Sequence, residues 1–138
     1  TCRTKAEAIK EAVDRLYVLS RTERPRAIEN AVWQREAEHS TGFGHGFAIP
    51  HCKTGEVTVN SLALVKPRKP VTWESLDGEP VKVVILMAIR DVDPGVTHMK
   101  ILSTLARKIM HEDFRRHLVV EHDPSRLCAF LKQNLGIP

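Results

Sequence analysis

The 138 residues include 42% hydrophobic and 28% charged side chains, enough apolar mass for one core in a single domain. No stretch comes near the ~20 consecutive apolar residues that a membrane-spanning helix needs. The net charge of +4 is dispersed among 17 acidic residues, without a basic block or interleaved aromatics, which argues against a nucleic-acid partner.

Ala8, Ile9, Ala12, Val13, Leu16 and Leu19 recur at helical spacing behind Thr4 and Glu7, which fit a capping box. Residues 4–19 are therefore predicted to form a helix with one buried stripe. Pro25 suits a first helical turn, and a second helix is expected to carry Ala27, Ile28, Ala31, Val32 and Arg35 along one face toward His39. Three glycines between Thr41 and Gly46 end that helix in a loop and lead into the apolar run Phe47-Ala48-Ile49, closed by Pro50-His51. Val57 to Val65 alternates like a strand until two prolines in 66–70 stop it.

After the Asp77-Gly78 turn, Val81 to Ile89 is nearly continuous apolar and β-branched sequence, the pattern of a central strand buried on both faces. Pro94-Gly95 breaks the chain again. Met99, Ile101, Leu102, Leu105, Ile109 and Met110 then predict an amphipathic helix from near Val96 or Thr97, continued helically around Phe114 and Leu118. Asp123-Pro124 reads as an N-cap and first turn, with Leu127, Phe130, Leu131 and Leu135 as the stripe and Gly136 as the stop. Interleaved helices and strands predict an α/β fold, a mixed β-sheet with helices on its faces.

Cys2, Cys52 and Cys128 form no CxxC pair, and an odd number cannot all be joined within the chain, so a reducing, cytoplasmic setting is expected. Thr1 to Arg15 has neither the basic start and apolar run nor the cleavage site of a signal peptide. With Thr in first position, the chain reads as a piece excised from a longer one.

Seven histidines draw the chemistry to themselves, yet none lies in a zinc-binding pattern. His45, His51 and Cys52 would need a glycine loop to fold them together and still lack a fourth ligand. His51 stands at the end of an apolar run, behind a proline and beside a glycine-rich loop, where α/β proteins place sites. Locally it fits equally a functional group or a histidine that merely finishes a strand. His98 sits just inside a predicted helix start, a position that favours an anion but also suits a solvated side chain. Arg35, taken alone, fits a solvated helix face.

One pattern links the three. Arg35-Glu36, followed by Ser40-Thr41-Gly42-Phe43-Gly44-His45-Gly46-Phe47-Ala48-Ile49-Pro50-His51, resembles the signature of fructose/mannitol-type enzyme IIA domains of the bacterial sugar phosphotransferase system. Trp73 to Val81 is similar to that family's Asp-Gly-x-Pro-Val turn and strand, and Thr97-His98-Met99-Lys100-Ile101-Leu102 to its second histidine motif, so the resemblance spans nearly the whole chain. Cys52 departs from the glycine often found after the family's Pro-His. Thr1 begins where relatives have completed a first strand, which implies a missing N-terminal strand.

The resemblance implies a mixed sheet flanked by helices on both faces. It also implies that His51 takes a phosphoryl group from phospho-HPr and passes it to a cysteine of enzyme IIB, with the membrane component IIC involved only indirectly. His98 and Arg35 would stabilise the phosphoryl group, and Thr41 would donate a further hydrogen bond. No cofactor or metal is implied. A regulatory enzyme IIA, of nitrogen type or attached to a transcriptional regulator, would use the same acceptor.

Overall fold

The computed structural model describes residues 3–90 and 95–136, with side chains over 3–90 and 99–136. They fall into two compact units, Thr1–Asp93 and Pro94–Pro138.

In the first unit, α1 (Lys5–Val18) starts at Thr4, whose hydroxyl accepts the Glu7 N–H at 3.1 Å. The Glu7 carboxylate reaches one residue further back than a capping box requires and accepts the Arg3 N–H at 2.8 Å. Ala8, Ile9, Ala12, Val13 and Leu16 are buried as the periodicity predicts. Leu19 is not: as the C-cap it has left the helical stripe and is 68% exposed. The second helix, α2 (Pro25–Glu38), has its proline in the first turn, and its buried residues are Ile28, Val32 and Glu36. A spacing of four carries the stripe through Glu36, while Arg35 is half-buried.

The expected loop at 41–46 is a β-hairpin instead. Strands β1 (Gly42–Gly44) and β2 (Phe47–Ala48) pair antiparallel about His45-Gly46, whose φ values of 58° and 83° are those of a type I′ turn. Sequence inspection missed it because His45 is a rare residue at a left-handed position. Nor does His51 close a strand. The break falls at Ile49-Pro50, where proline offers no N–H, and His51 opens β3 (His51–Thr54).

Strand β4 (Ser61–Val65) is shorter than the alternation suggested, because Val57 bridges to Thr22 and the Thr58 N–H donates to the Arg21 carbonyl at 2.7 Å. Val81 pairs with Val71, so β5 (Val83–Arg90) begins two residues late. It is central and buried along all but its last residue: β4 runs antiparallel on one side, and β2 then β3 run parallel on the other. Alternating residues Val84, Leu86 and Ala88 share a core cluster with Ala48, Cys52, Ala63 and Val65 and with the buried stripes of α1 and α2. The fold class is thus α/β with a mixed sheet, as expected.

The second unit contains α3 (Gly95–Ile109), α4 (Glu112–Val120) and α5 (Pro124–Leu135), with α4 and α5 both packed on α3. Leu105, Ile109, Phe114, Leu118, Leu127, Leu131 and Leu135 are its buried apolar side chains. Asp123 accepts the Ser125 N–H at 2.9 Å to start α5, and Gly136 ends it at φ 67°. Among the described residues no helix is long and apolar enough to cross a membrane.

Candidate functional site

In a parallel pair, residues in register point to the same face of the sheet. His51 lies opposite Met87 and Cys52 opposite Ala88, so these neighbours project to opposite faces. Cys52 joins the core beneath α1 and α2, where burial pushes its thiol up to about 12. At that value it is an inert apolar filler, not a nucleophile.

His51 is 7% exposed, and its ring is anchored by its own backbone: Nδ1 lies 2.8 Å from the Ile49 carbonyl oxygen. A carbonyl only accepts, so Nδ1 carries the proton and Nε2 carries the lone pair. Pro50 still accepts the Met87 N–H of β5 at 2.9 Å, whereas Ile49, one residue earlier, faces the other side of the strand and donates its N–H to the Thr41 carbonyl at 3.0 Å. Burial is the main cause of a His51 pKa below the ordinary 6.5; the Ile49 hydrogen bond opposes the shift, the Arg35 guanidinium adds to it, and the Glu36 and Glu38 carboxylates oppose it. The imidazole is therefore held neutral, as a nucleophile must be.

Of the residues singled out with His51, Arg35 is close enough to act on its charge, while one guanidinium nitrogen, Nη1, donates to the His39 carbonyl at 2.7 Å and closes the end of α2. Thr41 is tied to Ile49 through its carbonyl, and its hydroxyl donates to the Glu36 carboxylate. His98 falls in the first turn of α3, and its side chain lies outside the described residues. Among the described residues no group of three or more His, Cys, Asp or Glu side chains could hold a metal.

Long-range contacts fix the hairpin between α2 and His51. Ser40 donates its hydroxyl to the Glu74 carbonyl, and a Cβ on Gly42 would stand 2.3 Å from that same oxygen, so only glycine permits the approach. At the tip, the Asp77 carboxylate accepts the His45 N–H at 2.8 Å and the Glu79 N–H at 3.0 Å, which lowers its pKa.

From the sequence, Glu36 had a place in the family signature but no role, and Lys5 had neither. The Glu36 side chain, 2% exposed, pairs with Lys5 Nζ at 2.9 Å and accepts the Thr41 N–H at 3.2 Å. Lys5 in turn lies over the rings of Trp73 (4.9 Å) and Trp33 (5.5 Å). The signal was present in the spacing: 28, 32 and 36 form one helical row, and a carboxylate on a buried row requires a partner.

The family model described as "Phosphoenolpyruvate-dependent sugar phosphotransferase system, EIIA 2" matches residues 1–134. The chain is 35% identical to Multiphosphoryl transfer protein 2 of Escherichia coli over 98% of its own length and 16% of that protein's, so it spans about a sixth of this relative. It is 33% identical to the PTS system fructose-specific EIIA component of Haloferax volcanii, over 84% of this chain and 75% of that one. Among solved structures it resembles the nitrogen regulatory protein IIA-Ntr of Neisseria meningitidis, with a TM-score of 0.83, 27% identity and coverage of 94% and 88%. It also shares the fold of enzyme IIA mannitol in its complex with phosphorylated enzyme IIB mannitol from Escherichia coli, with a TM-score of 0.77, 20% identity and coverage of 96% and 90%.

Proposed function

The chain belongs to the EIIA 2 family of the phosphoenolpyruvate-dependent sugar phosphotransferase system, and from that premise we propose that it is a cytoplasmic phosphocarrier domain whose acceptor is His51. The donor is phospho-HPr or an HPr-like domain, and the recipient is a cysteine of an enzyme IIB. The observation that carries this reading is the Nδ1–H bond to the Ile49 carbonyl, which leaves the lone pair on Nε2 of a neutral ring.

In the forward step Nε2 attacks the phosphorus of the donor phosphohistidine. The donor's P–N bond breaks, and its electron pair returns to the donor ring. The His51 ring becomes cationic as the new P–N bond forms, and the Ile49 carbonyl, still accepting from Nδ1–H, stabilises that charge. In the second step a IIB thiolate attacks the same phosphorus, and Nε2 recovers its lone pair. A loose phosphoryl transition state asks for alignment and charge balance rather than covalent help from the protein. Arg35 supplies fixed positive charge to the phosphoryl oxygens, and Thr41 reaches them only by releasing its hydroxyl from Glu36. For His98 the support is the family pattern alone, which gives it a stabilising role.

A second reading is favoured by the likeness to the nitrogen regulatory protein IIA-Ntr: the same phosphohistidine would report metabolic state instead of feeding transport. Onward transfer to a purified IIB cysteine separates the two, since a regulator need not transfer.

Phosphoenolpyruvate, enzyme I and HPr supply the test, followed by mapping of acid-labile phosphate on the wild type and on His51→Ala, His98→Ala and Arg35→Ala. His51→Ala is expected to take no label, and the other two to take it slowly. Full labelling of His51→Ala sinks the proposal, and wild-type rates for the others remove them from the site.

A further inference from the structure

Starting at the buried end of α2, hydrogen bonds run unbroken to the acceptor ring. Lys5 Nζ pairs with the Glu36 carboxylate at 2.9 Å, and that carboxylate accepts both the N–H and the hydroxyl of Thr41. The Thr41 carbonyl accepts the Ile49 N–H at 3.0 Å, and the Ile49 carbonyl accepts Nδ1–H of His51 at 2.8 Å. Glu36 belongs to the buried row of α2, which faces the core cluster containing Cys52, whereas His51 projects from the other face of the same strand. The relay therefore passes through the sheet by way of its backbone.

We infer that Glu36, held by Lys5, is a positioning residue that fixes the tautomer and orientation of the His51 ring through Thr41 and Ile49. The inference rests on His51 being the phosphoryl acceptor. Three observations converge on it. A carboxylate whose side chain is 2% exposed needs fixed partners, and it has them in Lys5 and in both donors of Thr41. Thr41 is the residue from which the hairpin departs, so fixing its backbone fixes the position of its carbonyl. Ile49 lies between β2 and β3, where the register with β5 is unbroken but Ile49 faces the hairpin; its N–H bonds to Thr41, so the orientation of its peptide is tied to Thr41.

Lys5 Nζ is itself held by the rings of Trp33 and Trp73 and by the Glu74 carboxylate at 3.5 Å. Releasing Glu36 would let the Ile49 carbonyl swing, and the His51 ring would then sample both tautomers. In the wrong tautomer Nε2 carries hydrogen and cannot attack phosphorus.

The test reads the ring nitrogens of 15N-histidine-labelled, unphosphorylated protein by long-range proton–nitrogen NMR. It compares wild type, Glu36→Gln and the double variant Lys5→Met/Glu36→Gln. The double variant removes both charges of the pair together, and in Glu36→Gln alone Lys5 keeps the Glu74 carboxylate at 3.5 Å, so neither variant strands a buried charge. Amide spectra unchanged outside residues 35–52 and the neighbourhood of Lys5, Trp33, Trp73 and Glu74 verify the fold.

The wild type should show His51 with protonated Nδ1 and unprotonated Nε2. Both variants should show averaged nitrogen signals, with kcat for phosphoryl acceptance lowered about tenfold or more at an unchanged KM for phospho-HPr. Wild-type ring signals in both variants would overturn the inference. These signals are recorded before any donor is added, so this failure is distinct from finding that His51→Ala still takes phosphate.

Discussion

Among the described residues, two ion pairs join α1 to α2, and they occupy opposite environments. Lys5–Glu36 is nearly enclosed, with side chains 15% and 2% exposed, and it leads to the site through Thr41. Arg26–Asp14 lies in water, at 48% and 43%, and Arg26 is shared with Glu29 of its own helix. The same pairing of charges thus has two meanings. In water, screening and side-chain entropy leave little net stability. Under cover, the Glu36 carboxylate depends on Lys5, its one cationic partner among the described ion pairs, whereas Lys5 also reaches the exposed Glu74 carboxylate at 3.5 Å.

The largest effect should come from breaking the buried pair on one side. Lys5→Met is expected to cost about 3–5 kcal/mol in urea unfolding, because it strands the Glu36 carboxylate. Adding Glu36→Gln to it should recover most of that loss, and a double variant as unstable as the single one would mean that shape rather than charge holds this corner.

The corner should also resist added volume. Gly42→Ala places a methyl against the Glu74 carbonyl and is expected to cost about 1–3 kcal/mol, which thermal denaturation would detect. Next comes pH. The depressed pKa of His51 means that the unfolded chain binds this proton more readily than the folded one. Its contribution to stability is therefore complete above 6.5 and lost as pH falls below that value toward the folded pKa. NMR titration of the ring should give a midpoint below 6.5, and His51→Gln should flatten this part of the stability profile.

The smallest effect belongs to the exposed pair. Arg26→Ala should change stability by less than about 1 kcal/mol, and by less still in high salt. A loss equal to that of Lys5→Met would erase the distinction between the two pairs.

How much of this was legible in the sequence follows from how local each signal is. The helices were readable because Thr4, Pro25, Asp123 and Gly136 are local start and stop signals, and their apolar rows repeat within one element. β5 was readable because a strand buried on both faces is apolar throughout. The hairpin was not: its turn places His45 at positive φ, and it is held by Asp77, 32 residues away.

His51, our proposed acceptor, stood out through the family pattern, and Arg35 lies close enough to act on its charge. The reason Nε2 carries the lone pair was not legible, since it depends on the ring folding back onto the Ile49 carbonyl two residues earlier. Glu36 was hidden for a related reason. Beside Arg35 it looks like one of several charges on a solvated face, and only its place in the row of Ile28 and Val32 marks it as buried.

The central claim is that Nε2 of His51 carries the phosphoryl group. One measurement addresses it directly: phosphorylate 15N-histidine-labelled protein with phosphoenolpyruvate, enzyme I and HPr, then record nitrogen–phosphorus couplings by NMR. The account predicts one coupled ring, that of His51, with phosphorus bonded to Nε2 and hydrogen retained on Nδ1. Coupling to Nδ1 of His51, or to any of the other six histidines, would contradict it.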